Sequence, residues 1–283
     1  MVHGAACTLA VVAWVLVSGS TRSSTETNAE VPFELYQHHL VVTKGSVGGL
    51  NGRNLLIDTG TIPSMVDTRI ARKLNLHAEP SILVAFGQQV RMQSATLDGF
   101  RIGSLQSGPV SAGVGDLSFL QGIRIDAIVG LDVLARTNFG IDYRTRTLTF
   151  GPRGREDQVA PLEIVWPFMT VRMTMAGQPI RLLIDTGSGD LVLFKTRMPA
   201  ALSNPLERGD KIVQYGSGPA HLRRLDLRGP SLGAYMWDNL SAWALDRVPD
   251  GYPPSIDGVL GVRALGCQRV HFDFDRGVFG WSR

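Results

Sequence analysis

Cysteine is scarce in this 283-residue chain, which has two. Cys7 lies in an N-terminal segment that reads as a removable leader, too early and in the wrong context for lipid attachment. Cys267 is then the one thiol left, so no intrachain disulfide can staple the fold and no thiolate metal cluster can assemble. Its neighbours, "LG" and "QRVHFDF", suit a buried structural thiol. An excess of one charge is also missing. The formal net charge is +3, and Arg223-Arg224 is an isolated basic pair that reads as a solvated face. A nucleic-acid partner is excluded on this count, because its surface would need a denser basic run. The six histidines are equally dispersed. His38-His39 lack a third ligand at metal spacing and read as surface strand residues, and His77, His221 and His271 stand alone.

Long apolar runs are absent except at the start. The stretch "AACTLAVVAWVLV" (5–17) is short for a bilayer and right for the core of a signal peptide. The expectation is a signal peptide over 1–20, or a membrane anchor and tether if it stays uncleaved, followed by a flexible linker over 21–32. The protein is then exported, periplasmic or secreted. Helical patterns are few: "DTRIARKLNL" (67–76), "LDVLARTN" (131–138) and a turn at "RALG". Short β-rich runs separated by Gly, Pro and Asn make up the rest, the pattern of an all-β fold.

What the chain does have is a core-forming composition and a repeat. It is 44% hydrophobic and 19% charged, typical of a globular protein. "NLLIDTGTIPSMVD" (54–67) and "RLLIDTGSGDLVLF" (181–194) share Leu-Leu-Ile-Asp-Thr-Gly, one copy in each half of the chain. Each is preceded by two β-rich runs with a Gly turn, expected at Asn51-Gly52 and Ala176-Gly177. Gly130 follows the first Asp in "IDAIVGLDVL", and Gly261 follows the second at nearly the same interval in "IDGVLGVRAL". The copies end alike, in "FGIDYRTRTLTFG" and "VHFDFDRGVFGWS". The duplication therefore covers most of the chain. It predicts one lobe over 33–151, a linker over 152–163 in the charged, Gly- and Pro-rich "GPRGREDQVAP", and a second lobe over 164–283.

An Asp at the end of a buried apolar strand can face a cleft. The Gly permits a sharp turn and close approach of another backbone, and the hydroxyls of Thr59, Thr61, Thr186 and Ser188 can hydrogen-bond nearby. Two such loops related by a pseudo-twofold axis would bring two carboxylates together. Carboxylates that close share one proton and titrate as a pair. One can act as base on a water while the other acts as acid toward a carbonyl oxygen.

These paired motifs resemble the aspartic proteases of the pepsin and retropepsin type, over residues from about 33 to 282. The resemblance implies two pseudo-symmetric barrel lobes with few short helices and a cleft between them. It implies Asp58 and Asp185 as the catalytic dyad, supported by Thr59, Gly60, Thr61, Thr186, Gly187 and Ser188. In that family the two Thr hydroxyls interlock the loops, and the residues at Thr61 and Ser188 bond the carboxylates. A peptide or protein substrate is implied, with no metal and no cofactor, in a monomer whose lobes pair within the chain. The copies, each under half of the chain, are closer in length to retropepsin subunits than to pepsin lobes. The family covers its cleft with β-hairpin flaps. The candidates here are Phe86-Gly87 and Tyr215-Gly216, which follow their Asp at nearly equal intervals. An ordinary Gly hairpin is the plainer reading of both. Asp126 and Asp257 read as structural turn acceptors, Asp67 and Asp190 lie close after the Asp-Thr-Gly motifs, and Asp190 reads as a substrate contact or a surface residue. One rival is the duplicated actin-like ATPase fold, whose βαβ alternation is missing. Another is an inactive, protease-fold binding protein.

Overall fold

The computed structural model describes residues 30–85, 88–118, 122–152, 156–202, 210–215, 218–249 and 251–283. The fold is almost entirely β, in two lobes with matching topology. In the first lobe, strand Leu50–Ile57 runs parallel to Ala127–Val129, with Leu55, Leu56 and Ile57 opposite Ala127, Ile128 and Val129. Ala127–Val129 also pairs antiparallel with Met65–Asp67, which lies parallel to Val110–Gly115. In the second lobe, Gln178–Asp185 runs parallel to Gly258–Gly261, and that strand pairs antiparallel with Leu191–Phe194. Leu191–Phe194 lies parallel to Asn239–Leu245. Each lobe therefore inserts a distant strand between the two strands that flank its Asp-Thr-Gly loop.

This insertion explains the unbroken Leu-Leu-Ile runs. Successive strand residues face opposite sides, and here both sides are covered. Leu55 and Ile57 join the main core while Leu56 packs with Leu40, Val42, Met65 and Ile128. Leu182 and Ile184 join the main core while Leu183 packs with Phe168, Val192 and Val259. A strand buried on both faces loses polar alternation, and its end becomes a rigid mount for the Asp.

The chain termini of the two repeats share one sheet. Its order is Gln158–Pro161, Val278–Ser282, Arg269–Asp273, Phe139–Asp142, Thr147–Phe150 and Val31–Tyr36. At its centre Gly140 pairs with His271, and Phe139 stacks on Phe272 with ring centroids 4.6 Å apart. Asn138 reinforces the seam, donating to Asp275 Oδ2 at 2.9 Å and accepting from the Phe274 N–H at 2.8 Å.

Several boundaries differ from expectation. Gln158–Pro161, expected as linker, is a strand that covers the edge of Val278–Ser282, and Glu163–Val165 pairs with Phe168–Met175. Val31 and Pro32 are strand residues opposite Leu148 and Thr147. The polar composition of these segments conceals pairing partners that lie far away in sequence. The first helix is shorter than predicted, Thr68–Lys73, capped by Asp67 and ended where Asn75 turns left-handed at φ 51°. The second is Leu131–Leu134, and Val262–Leu265 forms a 3-10 turn. Ala176-Gly177 makes the expected two-residue turn, with φ of 48° and 75° between the paired Met175 and Gln178. In the first lobe the turn is Gly48-Gly49, between paired Val47 and Leu50, and Asn51-Gly52 form a bulge instead. Gly48-Gly49 satisfy positive φ at both turn positions, so the tighter turn wins. Among the described residues no helix is long and apolar enough to cross a membrane.

Candidate active site

Asp58 and Asp185 each stand at the end of a doubly buried strand. The Asp58 N–H is held by the Val129 carbonyl at 3.1 Å. Both loops then turn alike: Thr61 N–H reaches the Asp58 carbonyl and Ser188 N–H the Asp185 carbonyl, each at 3.4 Å. The Asp58 carboxylate accepts from Gly60 N–H at 2.8 Å, and that of Asp185 from Gly187 N–H at 2.7 Å.

The two loops interlock. Thr59 Oγ1 donates to the Ile184 carbonyl at 2.9 Å and accepts the Thr186 N–H at 3.1 Å. Thr186 Oγ1 donates to the Ile57 carbonyl at 2.9 Å and accepts the Thr59 N–H at 3.1 Å. Each hydroxyl thus satisfies two buried backbone groups of the opposite lobe, which sterics alone would not align.

The same register leaves the carboxyls face to face across the glycines. A Cβ on Gly60 would lie 2.6 Å from Asp185 Cγ, and one on Gly187 would lie 2.8 Å from Asp58 Cγ. Any side chain at either position would expel the opposite carboxyl. Asp58 is 7% exposed. Burial and then the Asp58 charge hold the Asp185 carboxyl well above the usual carboxylate range, against the N–H donors of Gly187 and Ser188.

The second loop of each repeat packs behind the first. A Cβ on Gly130 would meet the Thr61 carbonyl at 2.3 Å, and one on Gly261 the Ser188 carbonyl at 2.5 Å. Leu131 N–H donates to the Thr61 carbonyl at 3.0 Å, and Gly261 N–H to the Asp190 carbonyl at 2.9 Å. Asp126 and Asp257 accept from the backbone N–H of Asn54 and Arg181, at 3.0 and 2.8 Å, and tie matching strands at matching places.

The lobes differ in detail. The Thr61 hydroxyl donates to Asp58 Oδ2 at 2.7 Å. Ser188 does not do the same for Asp185: its hydroxyl turns to the Asp190 carbonyl at 3.3 Å. The Asp190 carbonyl two residues on takes the Ser188 hydroxyl, while the backbone N–H groups of Gly187 and Ser188 serve Asp185. Asp190 is not a simple surface residue, since it accepts from Trp243 Nε1 at 3.2 Å. Asp67 is 1% exposed, caps the first helix and accepts from Leu117 N–H at 3.0 Å.

The flap candidates fall on paired strands. Glu79–Ala85 and Gln88–Leu97 pair up to Ala85 opposite Gln88, and Asp210–Tyr215 and Gly218–Arg228 up to Tyr215 opposite Gly218. Phe86, Gly87 and Gly216 lie outside the described residues, and Tyr215 ends its strand.

Two features were not anticipated. Asp132 Oδ1 accepts from the N–H and hydroxyl of Ser64, both at 2.8 Å, and Ser64 Oγ accepts from Gly130 N–H at 2.8 Å. The repeat itself hides this brace, because the second copy has Leu191 and Arg263 at these places. His39, from the first lobe, packs on the second loop: a Cβ on Gly189 would meet its Nδ1 at 2.9 Å.

Comparison with protein families matches this chain to the model described as "Aspartyl protease", over residues 43–133 and again over 171–264. The chain belongs to the aspartyl protease family. The two matched segments are the two lobes, each carrying one Asp-Thr-Gly loop and one apolar-apolar-Gly loop, so this member is of the two-lobe retropepsin type. Comparison with curated proteins found no match. Membership implies a protease-type hydrolase acting on peptides or proteins.

Proposed function

We propose that the protein is an aspartic endopeptidase in which Asp58 and Asp185 activate one water between them. The observation that carries the reading is the reciprocal fit of Gly60 against Asp185 and Gly187 against Asp58. A binding scaffold has no need to press two carboxyls together, because their repulsion and burial cost stability. The division of labour follows from the donors. Asp58, whose carboxyl accepts from the Thr61 hydroxyl and the Gly60 N–H, is assigned the role of base and takes a proton from the water. Asp185 keeps the shared proton and gives it to the carbonyl oxygen of the scissile bond. As the tetrahedral intermediate collapses, a proton passes to the leaving amine and the pair returns to its single-proton state. Thr59, Thr186, Gly130 and Gly261 position the loops without touching substrate. The hairpins ending at Ala85 and Tyr215 act as two flaps over an extended peptide.

The direct test is hydrolysis of a mixed peptide library by the purified protein, from acid to mildly alkaline pH, with and without pepstatin. Pepstatin-sensitive cleavage supports the reading, and its absence across that range overturns it. The same reading places the protein outside the cytoplasm, acting as a monomer, with a mature N-terminus between about residues 19 and 30. N-terminal sequencing of material from the native host checks this, and an intact Met1 in a soluble cytoplasmic fraction contradicts it.

A further inference from the structure

One asymmetry between the lobes sits directly behind Asp58: the Ser64–Asp132 brace. Ser64 is fully buried. Asp132 Oδ1 takes both the Ser64 N–H and the Ser64 hydroxyl, each at 2.8 Å, so that oxygen serves as an acceptor alone. The Ser64 hydroxyl has one proton, and Asp132 fixes its direction. A lone pair of Ser64 Oγ is left to accept the Gly130 N–H at 2.8 Å. The bonds therefore run one way, from Gly130 through Ser64 to Asp132. Gly130 in turn presses on Thr61. A Cβ on Gly130 would lie 2.3 Å from the Thr61 carbonyl oxygen, and Leu131 N–H holds that same oxygen at 3.0 Å. Thr61 is buried, and its hydroxyl donates to Asp58 Oδ2 at 2.7 Å.

The second lobe lacks these side chains. Leu191 stands where the first lobe has Ser64, and Arg263 where it has Asp132. Leu191 is buried and has no oxygen to offer the Gly261 N–H. The Asp190 carbonyl takes that N–H at 2.9 Å, and it takes the Ser188 hydroxyl as well, at 3.3 Å. One backbone oxygen thus closes the loop and draws off the hydroxyl that matches Thr61. We propose that Ser64 and Asp132 are positioning residues for the reaction. By taking the Gly130 N–H on a side chain, they hold Thr61 where its hydroxyl bonds Asp58, and so make Asp58 the base of the pair. This rests on the endopeptidase reading above. Neither residue touches substrate. What Asp132 supplies is an acceptor oxygen at a fixed place, and Asn at this position presents the same oxygen. Ala presents none. The Ser64 hydroxyl is then free to turn, the Gly130 N–H loses its oriented partner, and the wall behind Thr61 loosens.

The test is steady-state kinetics on one peptide that the parent cleaves, with thermal unfolding to verify that each variant is folded. Asp132→Ala and Ser64→Ala should each lower kcat roughly five- to tenfold and leave KM within about twofold, because the hydroxyl they position acts on the carboxyl pair and not on substrate binding. Asp132→Asn should stay within about twofold of the parent in kcat. On a Thr61→Val background, Asp132→Ala should cost less than about a further twofold, because the group it positions is already gone. Parental kcat in folded Asp132→Ala overturns the proposal. So does an equal loss in Asp132→Asn, or a loss that multiplies in full on the Thr61→Val background, as a general packing role would give. If Asp132→Ala does not fold, Ser64→Ala carried through the same cycle decides. Absence of any cleavage by the parent overturns the endopeptidase reading itself, and this proposal with it.

Discussion

Thr61 and Ser188 occupy the same place in their repeats, yet only the Thr61 hydroxyl reaches a carboxylate. A hydroxyl that donates to the pair favours its singly charged form. Thr61→Val should therefore move the acid limb of the pH–rate profile to higher pH and lower kcat/KM by about tenfold or more, the scale of a charge-assisted hydrogen bond. Ser188→Ala should stay within about threefold of the parent and leave the limb in place. Equal shifts in the two variants would show that Ser188 serves Asp185 after all. Asp185 offers a stability test at the same scale. Its folded-state carboxyl titrates well above the usual range, so the folded protein holds a proton that the unfolded chain releases near pH ~3.9. Stability from this group is full below that value, falls as pH rises, and levels off above the folded pKa. Asp185→Asn removes the loss. The melting temperature of the variant relative to the parent should be higher at about pH 7 than at about pH 3.5. A pH-independent difference would contradict a raised Asp185.

At the scale of elements, the interlocked loops set the geometry. Thr59→Val would strip a donor from the Ile184 carbonyl and an acceptor from the Thr186 N–H, both buried. At about 1–3 kcal/mol for each group left unsatisfied, denaturant unfolding should register a loss of about 2–6 kcal/mol. Thr59→Ser, which keeps the hydroxyl, should recover most of it. A loss equally large in both variants would point to packing by the methyl group. The sequence announced much of this scale. The two Asp-Thr-Gly loops, the Gly130 and Gly261 loops and the strands before each Asp were readable because the repeat printed them twice. The asymmetries were not. Ser64–Asp132 is found in the first lobe alone, and His39–Gly189 joins the lobes in one direction, so no internal copy marks either. The strand at Gln158–Pro161 was hidden because its partner lies at the far end of the second repeat, and a polar edge strand reads locally as linker. Asn51-Gly52 misled because a neighbouring Gly48-Gly49 pair makes the better turn.

At the scale of the whole molecule, the two repeats are joined by a shared sheet of terminal strands as well as by their loops. Phe139 and Phe272 stack at its centre, and one hydrophobic cluster runs through both lobes. Neither half carries a complete site, because each supplies one carboxyl and the glycine that admits the other. In the proposed mechanism the two carboxyls act as one unit, so losing either should be as damaging as losing both. The decisive measurement is the cleavage rate of a peptide substrate by purified, folded Asp58→Asn, Asp185→Asn and the double variant. The account predicts that each single variant loses at least about a thousandfold in kcat, and that the double variant is no slower than either. Near-parental turnover by folded Asp58→Asn or Asp185→Asn would contradict a shared-proton pair at the heart of this molecule.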